Sequence, residues 1–274
     1  MKQIAAILMA LVAIAAQGRE ITYEVGPFDK LSQMGDVNVV YRSVPDSVGI
    51  VRYESDTDFS DALEISNNKG KLTIKELSGH GLGQVPTIHV YSDYISQVRS
   101  EGNSTVIAEL SASTPTLSVR LVGNGRIVCE NVSSPEVKAS ISTGNGDIVL
   151  RGKCTQASFD LAGTGVIQAD GLEAQSVKCT VLGTGSIGCW AVDNLDVRGI
   201  GTTKIYYRGE PKVKKVGGAR LSPIYEEPQS GASDRTVVTA HEEAEDSVTE
   251  ADDNTEEDAV PDDEEEDDEE DLDD

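Results

Sequence analysis

The chain has 274 residues, of which 26% are charged and 4% aromatic, and a formal net charge of -25. That balance excludes the basic footprint that nucleic acid requires. The charge is unevenly placed: positions 242–274 hold 22 Asp and Glu and no Lys or Arg, which leaves 26 acidic against 23 basic residues elsewhere.

Residues 1–18 read as a signal peptide. Lys2 supplies the positive start, positions 4–16 the apolar run, and Ala13 and Ala15 the small residues that suit cleavage. The run is too short to span a bilayer. None of the four cysteines lies near the cleavage zone, so no acylated-cysteine anchor is expected. The expectation is an exported, soluble mature protein in the periplasm, on the outer cell surface or secreted.

From residue 19 the pattern is β throughout, with short alternating strands and Gly, Asn, Asp and Ser between them. Val37, Val39 and Tyr41 alternate; Val48 and Ile50, then Leu63 and Ile65, are read as inward positions. Positions 67–70 form a turn to Leu72 and Ile74, and Ile88, Val90 and Ile95 follow. This half is expected to form irregular early coils or a small sheet that caps a stack. Gly79-His-Gly-Leu-Gly83 is followed by a strand and not a helix, so it cannot cradle a pyrophosphate and reads as a hairpin loop.

The second half is periodic. Gly102, Gly123, Gly144, Gly163, Gly183 and Gly201 recur at steps of 21, 21, 19, 20 and 18 residues. Four positions after each stands Val106, Ile127, Ile148, Ile167, Ile187 or Ile205. The residue after each glycine is Asn103, Asn124, Asn145, then Thr164, Thr184, Thr202. A period near 20 with a fixed turn residue and a fixed apolar position is the mark of stacked β-coils, a solenoid. Laying the coils over one another gives an inward column Ala108, Cys129, Leu150, Ala169, Cys189, Tyr207. A second inward set is Val119/Leu121, Ala139/Ile141, Phe159/Leu161, Cys179/Val181 and Val197/Gly199. Neighbouring coils stand about 4.8 Å apart, so the Asn and Thr runs can hydrogen-bond in ladders.

The chain closes with Gly209-Glu-Pro211 and Lys212, Lys214 and Lys215, which blunt an exposed strand edge. Residues 223–241 read as a linker. Residues 242–274 cannot bury enough apolar surface to offset their ordering entropy, so a disordered acidic tail is expected. The organisation is therefore 1–18 signal peptide, 19–222 β-solenoid domain, 223–241 linker and 242–274 acidic tail.

Several elements together identify a family. Pro27-Phe-Asp-Lys-Leu31, the strand–turn–strand from Leu63 to Ile74, the Gly-Asn-Gly-Asp-Ile148 and Gly-Thr-Gly-Ser-Ile187 coils and Tyr207-Arg-Gly-Glu-Pro-Lys-Val213 occur in one order. In this the chain resembles the head GIN domain family (putative auto-transporter adhesin, DUF2807) of exported Bacteroidetes proteins. The resemblance implies an exported all-β solenoid with no established activity and no agreed functional residues.

Site chemistry is sparse. Gly144-Asn-Gly-Asp147 is like a fragment of a calcium-binding β-roll, but the equivalent positions are Arg126, Val166, Ser186 and Lys204, so one carboxylate stands alone and the segment reads as a turn. Asn103-Ser-Thr105 and Asn131-Val-Ser133 match glycosylation acceptors and read as structural. Cys129 and Cys189 share a column three coils apart, roughly 14 Å by strand spacing, beyond disulfide reach. The cysteines are therefore expected as buried free thiols. No Cys-x-x-Cys spacing exists for zinc, and the histidines are His80, His89 and His241. Polysaccharide-active β-helices cluster carboxylates, or carboxylates with Arg and Lys, on an outward face. Here Asp160, Lys178, Asp196 and Arg198 fall in one outward patch, whose mixed signs suit a salt-bridged surface.

The reading is an exported, non-enzymatic, adhesin-like binding module of the cell envelope or surface. No catalytic, cofactor-binding or metal residues and no cofactor are expected. The partner is an unidentified envelope protein or glycan, not nucleic acid, and the acidic tail is expected to bind divalent cations weakly. The alternatives are an envelope structural or signalling module that docks a membrane partner and a polysaccharide-active β-helix enzyme.

Overall fold

The computed structural model describes residues 19–55, 59, 61–77 and 85–224. The signal segment, the 79–83 loop, the linker from residue 225 and the acidic tail lie outside these residues. The first part contains β1 (Arg19–Glu24), β2 (Lys30–Met34), β3 (Val39–Ser43), β4 (Ile50–Ser55), β5 (Leu63–Asn68), β6 (Lys71–Glu76) and β7 (Ile88–Ser92). Then come β8 (Gln97–Gly102), β9 (Thr105–Glu109), β10 (Thr116–Gly123) and four long strands: β11 (Arg126–Ile141), β12 (Asp147–Gly163), β13 (Val166–Gly183) and β14 (Ser186–Ile200). Strands β15 (Lys204–Arg208), β16 (Lys212–Gly217) and β17 (Arg220–Pro223) complete it.

The protein is a β-solenoid with two parallel ladders. One runs β2–β8–β10, through the second halves of β11, β12, β13 and β14, to β16. The other runs β3–β9, through the first halves of the same long strands, to β15 and β17. Each long strand changes ladder at a register break, for example between Cys129 and Val132 in β11. There Asn131 takes a left-handed φ of 58°, which turns the chain from one side of the coil to the other.

Both inward sets stack in the expected register. Val106, Ile127, Ile148, Ile167, Ile187 and Ile205 are partners along the ladder and all fully buried. On the opposite ladder Val119, Ala139, Phe159, Cys179 and Val197 align one above another. Burying each large aliphatic contributes about 1.5–3 kcal/mol, and a parallel stack hides both ends of every inner coil.

The repeated glycine has a steric cause. A Cβ at Gly144 would lie 2.2 Å from the carbonyl oxygen of Gly123, and φ there is +92°. At Gly183 φ is not left-handed, yet a Cβ would lie 2.1 Å from the oxygen of Gly163. Close approach of successive corners is thus the shared requirement, and the backbone conformation is an added one. Beside it runs the side-chain ladder: Asn103 Nδ2 donates to Asp36 Oδ1 (3.2 Å), Asn124 Nδ2 to Asn103 Oδ1 (3.3 Å) and the Asn145 amide to Asn124 Oδ1 (3.1 Å). Thr164 Oγ1 takes over by donating to the Gly144 carbonyl at 3.3 Å.

Two features differ from the sequence reading. The repeat does not begin at Gly102: Gly35 lies directly beneath it, and the β2–β3 coil pairs with β8–β9. Between these coils the chain inserts β4–β7, which hides the periodicity in sequence. Strands β6 and β7 stack beneath β2 and β3, while β5, β4 and β1 add antiparallel strands, so the early half is both a coil and a cap. The phase of β4 is also shifted by one. Val51 and Tyr53 are buried and Ile50 is only half-buried, because β4 runs antiparallel to β7 and pairs Val51 with Val90.

Candidate binding cleft

The insertion places the most concentrated chemistry on the outer face of the N-terminal part. In β3, β4 and β7 the inward residues Tyr41, Val51, Tyr53 and Val90 are buried. Alternation therefore turns Arg42, Arg52, His89 and Tyr91 outward. Register brings them together: Arg42 lies opposite Tyr91 in β7 and Glu109 in β9, and Arg52 lies opposite His89. They line a cleft of about 410 Å³ with Glu20, Glu54, Pro86 and Thr87.

The polar groups are held in fixed positions. Arg42 Nε donates to Glu109 Oε2 at 2.9 Å and Nη2 to Oε1 at 3.5 Å, a forked contact. Arg42 Nη1 lies 3.2 Å from His89 Nδ1. A guanidinium only donates, so Nδ1 accepts and the neutral ring carries its proton on Nε2. Burial and then the Arg42 charge hold the His89 pKa below its ordinary 6.5, partly opposed by Glu54 and Glu109. The Glu109 hydrogen bond raises the Arg42 pKa further above its ordinary value. Arg52 Nε sits 2.9 Å from Glu20 Oε1, an ion pair without hydrogen-bond alignment, and its guanidinium lies 5.9 Å from the centre of the Tyr91 ring. The cleft sets two arginines against three glutamates, the lining Glu20 and Glu54 and Arg42's partner Glu109, with an aromatic ring and a neutral imidazole.

Sequence reasoning did not find this cleft. Its residues come from strands spread between positions 20 and 109, and no local motif links them. The available signal was a polar residue at each outward position of adjacent strands, which has meaning only once pairing is known.

The outward patch read from the sequence is brought together. Arg120, Ser140, Asp160, Thr180 and Arg198 form one column, and Ser118, Lys138, Ser158, Lys178 and Asp196 the next. Arg198 Nη2 lies 3.3 Å from Asp196 Oδ2, and Asp160 borders a shallow depression of about 320 Å³. A third concavity, about 420 Å³, follows the bends of the long strands past Ser133, Lys153, Cys154 and Glu173, with Lys153 Nζ 3.1 Å from Glu173 Oε2. Asp147 pairs along the ladder with Arg126 and Val166. Among the described residues no group of three or more His, Cys, Asp and Glu is placed to hold a metal. Nor is any helix there long and apolar enough to cross a membrane.

The four cysteines are free thiols. Burial pushes Cys129 and Cys154 up to about 12, so neither has thiolate character at neutral pH.

Comparison with known proteins places this architecture. The family model described as "Putative auto-transporter adhesin, head GIN domain" matches residues 27–211. The chain is similar in fold to a crystal structure of a putative adhesin from Bacteroides fragilis, with 20% identity and a TM-score of 0.68 over 77% of this chain and 98% of that one. It is similar also to a putative lipid binding protein from Parabacteroides distasonis, with 19% identity and a TM-score of 0.61 over 77% and 98% of the two chains. A putative adhesin from Parabacteroides merdae shares 18% identity at a TM-score of 0.56, again over 77% and 98%. No curated protein matches the chain.

Proposed function

The chain belongs to the head GIN domain family, and from that premise we propose that it is an exported, non-enzymatic, adhesin-like module whose arginine–histidine cleft binds a neutral saccharide of the cell envelope or surface. The observation that carries this reading is the charge balance of the cleft. Arg42 and Arg52 are each neutralised by a glutamate and Glu54 adds one further carboxylate, so the cleft offers fixed donors and acceptors without a positive field for an anion. Such an array suits vicinal hydroxyls, and Tyr91 supplies an apolar ring edge. The regular coils instead present scattered Ser, Thr, Lys, Arg and Asp. Similar folds described as adhesins accord with this reading.

The test is a screen of the full chain against a panel of neutral and acidic glycans, followed by titration of any hit. Arg42→Ala and Tyr91→Ala should weaken the hit at least about tenfold, while Lys178→Ala on the regular face should leave it unchanged. Binding that survives both cleft substitutions would sink the proposal.

A second reading, docking of an envelope protein, is favoured by one observation. Leu182 and Ile200 are register partners, 57% and 76% exposed, and Val216 extends the apolar surface on the next strand. Leu182→Ser with Ile200→Ser should abolish capture of such a partner without affecting the cleft.

A further inference from the structure

We propose that the groove along the bends of the long strands is a second binding site, for a linear neutral glycan laid parallel to the solenoid axis. Five successive coils each contribute a residue: Ser113 between β9 and β10, Ser133 in β11, Lys153 in β12, Glu173 in β13 and Val192 in β14. Ser133, Lys153 and Glu173 are register partners, and the Thr114 amide beside Ser113 donates to the Ser133 carbonyl at 3.3 Å. At the strand spacing this run of coils is about 19 Å long, within a concavity of about 420 Å³. The groove shares no lining residue with the arginine–histidine cleft.

The lining selects the ligand class. Lys153 Nζ lies 3.1 Å from Glu173 Oε2 and the other lining residues are uncharged, so the groove offers no net charge to an ion. Ser133, Thr155 and Gln175 present exposed hydroxyl and amide groups. Pro135 and Val192 supply small apolar surfaces that suit the C–H face of a sugar ring. Ser134 also lines the groove. It is 5% exposed, and its Oγ has no hydrogen-bond partner among the described residues, which leaves that role to a ligand hydroxyl or a water. An extended peptide fits less well, because the strands under the groove are already paired coil to coil and offer no free edge. Coils at constant spacing repeat their polar positions, and a ligand that repeats its own hydroxyls at a similar interval meets them coil by coil.

The full chain is titrated by calorimetry with linear neutral oligomers of glucose, mannose and N-acetylglucosamine, each of two, four and six units. At least one series should bind, with affinity rising about tenfold or more from two units to four and little beyond, where the groove ends. Thr155 is exposed, so Thr155→Trp should fill the groove with the thermal midpoint kept, and weaken the four-unit ligand at least about tenfold. Gln175→Ala, a smaller change in the same wall, should weaken it severalfold and serves if the larger substitution disturbs folding. Arg42→Ala combined with Tyr91→Ala should leave this binding unchanged. Loss of binding in that cleft variant, with both groove variants silent, would overturn the proposal and leave the cleft reading standing. So would affinity independent of ligand length, or tighter binding of an acidic glycan or an extended peptide than of any neutral oligomer. Absence of binding in all three series overturns it as well, whatever the cleft itself binds.

Discussion

The two halves of the solenoid solve the same stacking problem and differ in what they leave exposed. From β8 to β17 every coil repeats one solution: glycine at the corner, an aliphatic four residues later, and mostly short polar or charged outward residues such as Arg120, Ser140, Asp160, Thr180 and Arg198. Its ion pairs, such as Asp196–Arg198, are local and solvated. The β1–β7 part interrupts that repeat with antiparallel strands, holds six of the twelve aromatic residues and brings Arg42, beside His89, to Glu109 of β9. Repetition stabilises the core cheaply because each coil reuses its neighbour's geometry. The interruption juxtaposes distant residues, and a binding cleft needs that.

The largest test falls on the regular half. Ile148 is fully buried between Ile127 and Ile167. Ile148→Asp should cost about 4 kcal/mol or more and abolish cooperative melting, measured by calorimetry. A folded variant with a modest shift would mean that the column is not the shared core. Next is the corner: Gly144→Ala meets the Gly123 carbonyl and a left-handed φ together. It should lower stability by about 2 kcal/mol or more, with the loss read from denaturant midpoints.

A smaller effect is expected in the N-terminal part and depends on pH. The folded His89 pKa lies below its unfolded value, so the unfolded chain binds the extra proton more readily. This contribution is fully present above pH 6.5 and is lost as pH falls through 6.5 towards the lower folded value. Protonation also removes the lone pair that accepts from Arg42. His89→Asn should flatten the fall in thermal midpoint below pH 6.5, and an unchanged pH profile would show that His89 is not the titrating group. The smallest effect is at the Asp147 turn, where Asp147→Ala should move stability by under about 1 kcal/mol. If calcium raises the melting temperature only when Asp147 is present, the turn reading fails.

Much of the regular half was legible in the sequence because period, phase and burial coincide there. The Asn ladder shows this well: a run of identical residues at a constant interval can only be stacked, and Asn124 does reach Asn103. The first coil was not legible. Asn103 Nδ2 meets Asp36 Oδ1 across a separation of 67 residues, and nothing in the local pattern reports that span. The shifted phase of β4 has the same origin. Val48 and Ile50 look like the inward pair on alternation alone, but antiparallel pairing with β7 selects Val51 and Tyr53.

The sequence by itself therefore determined the solenoid, its glycine corners, its aliphatic columns and the companion residues on each outward face. All follow from contacts between neighbouring coils, which sequence periodicity records directly. Only the tertiary structure decided that Gly35 starts the column and that Arg42, Arg52, His89 and Tyr91 share one cleft. These depend on how an insertion folds back. Neither distance along the chain nor local alternation carries that information, because strand pairing is set by the free energy of the whole stack.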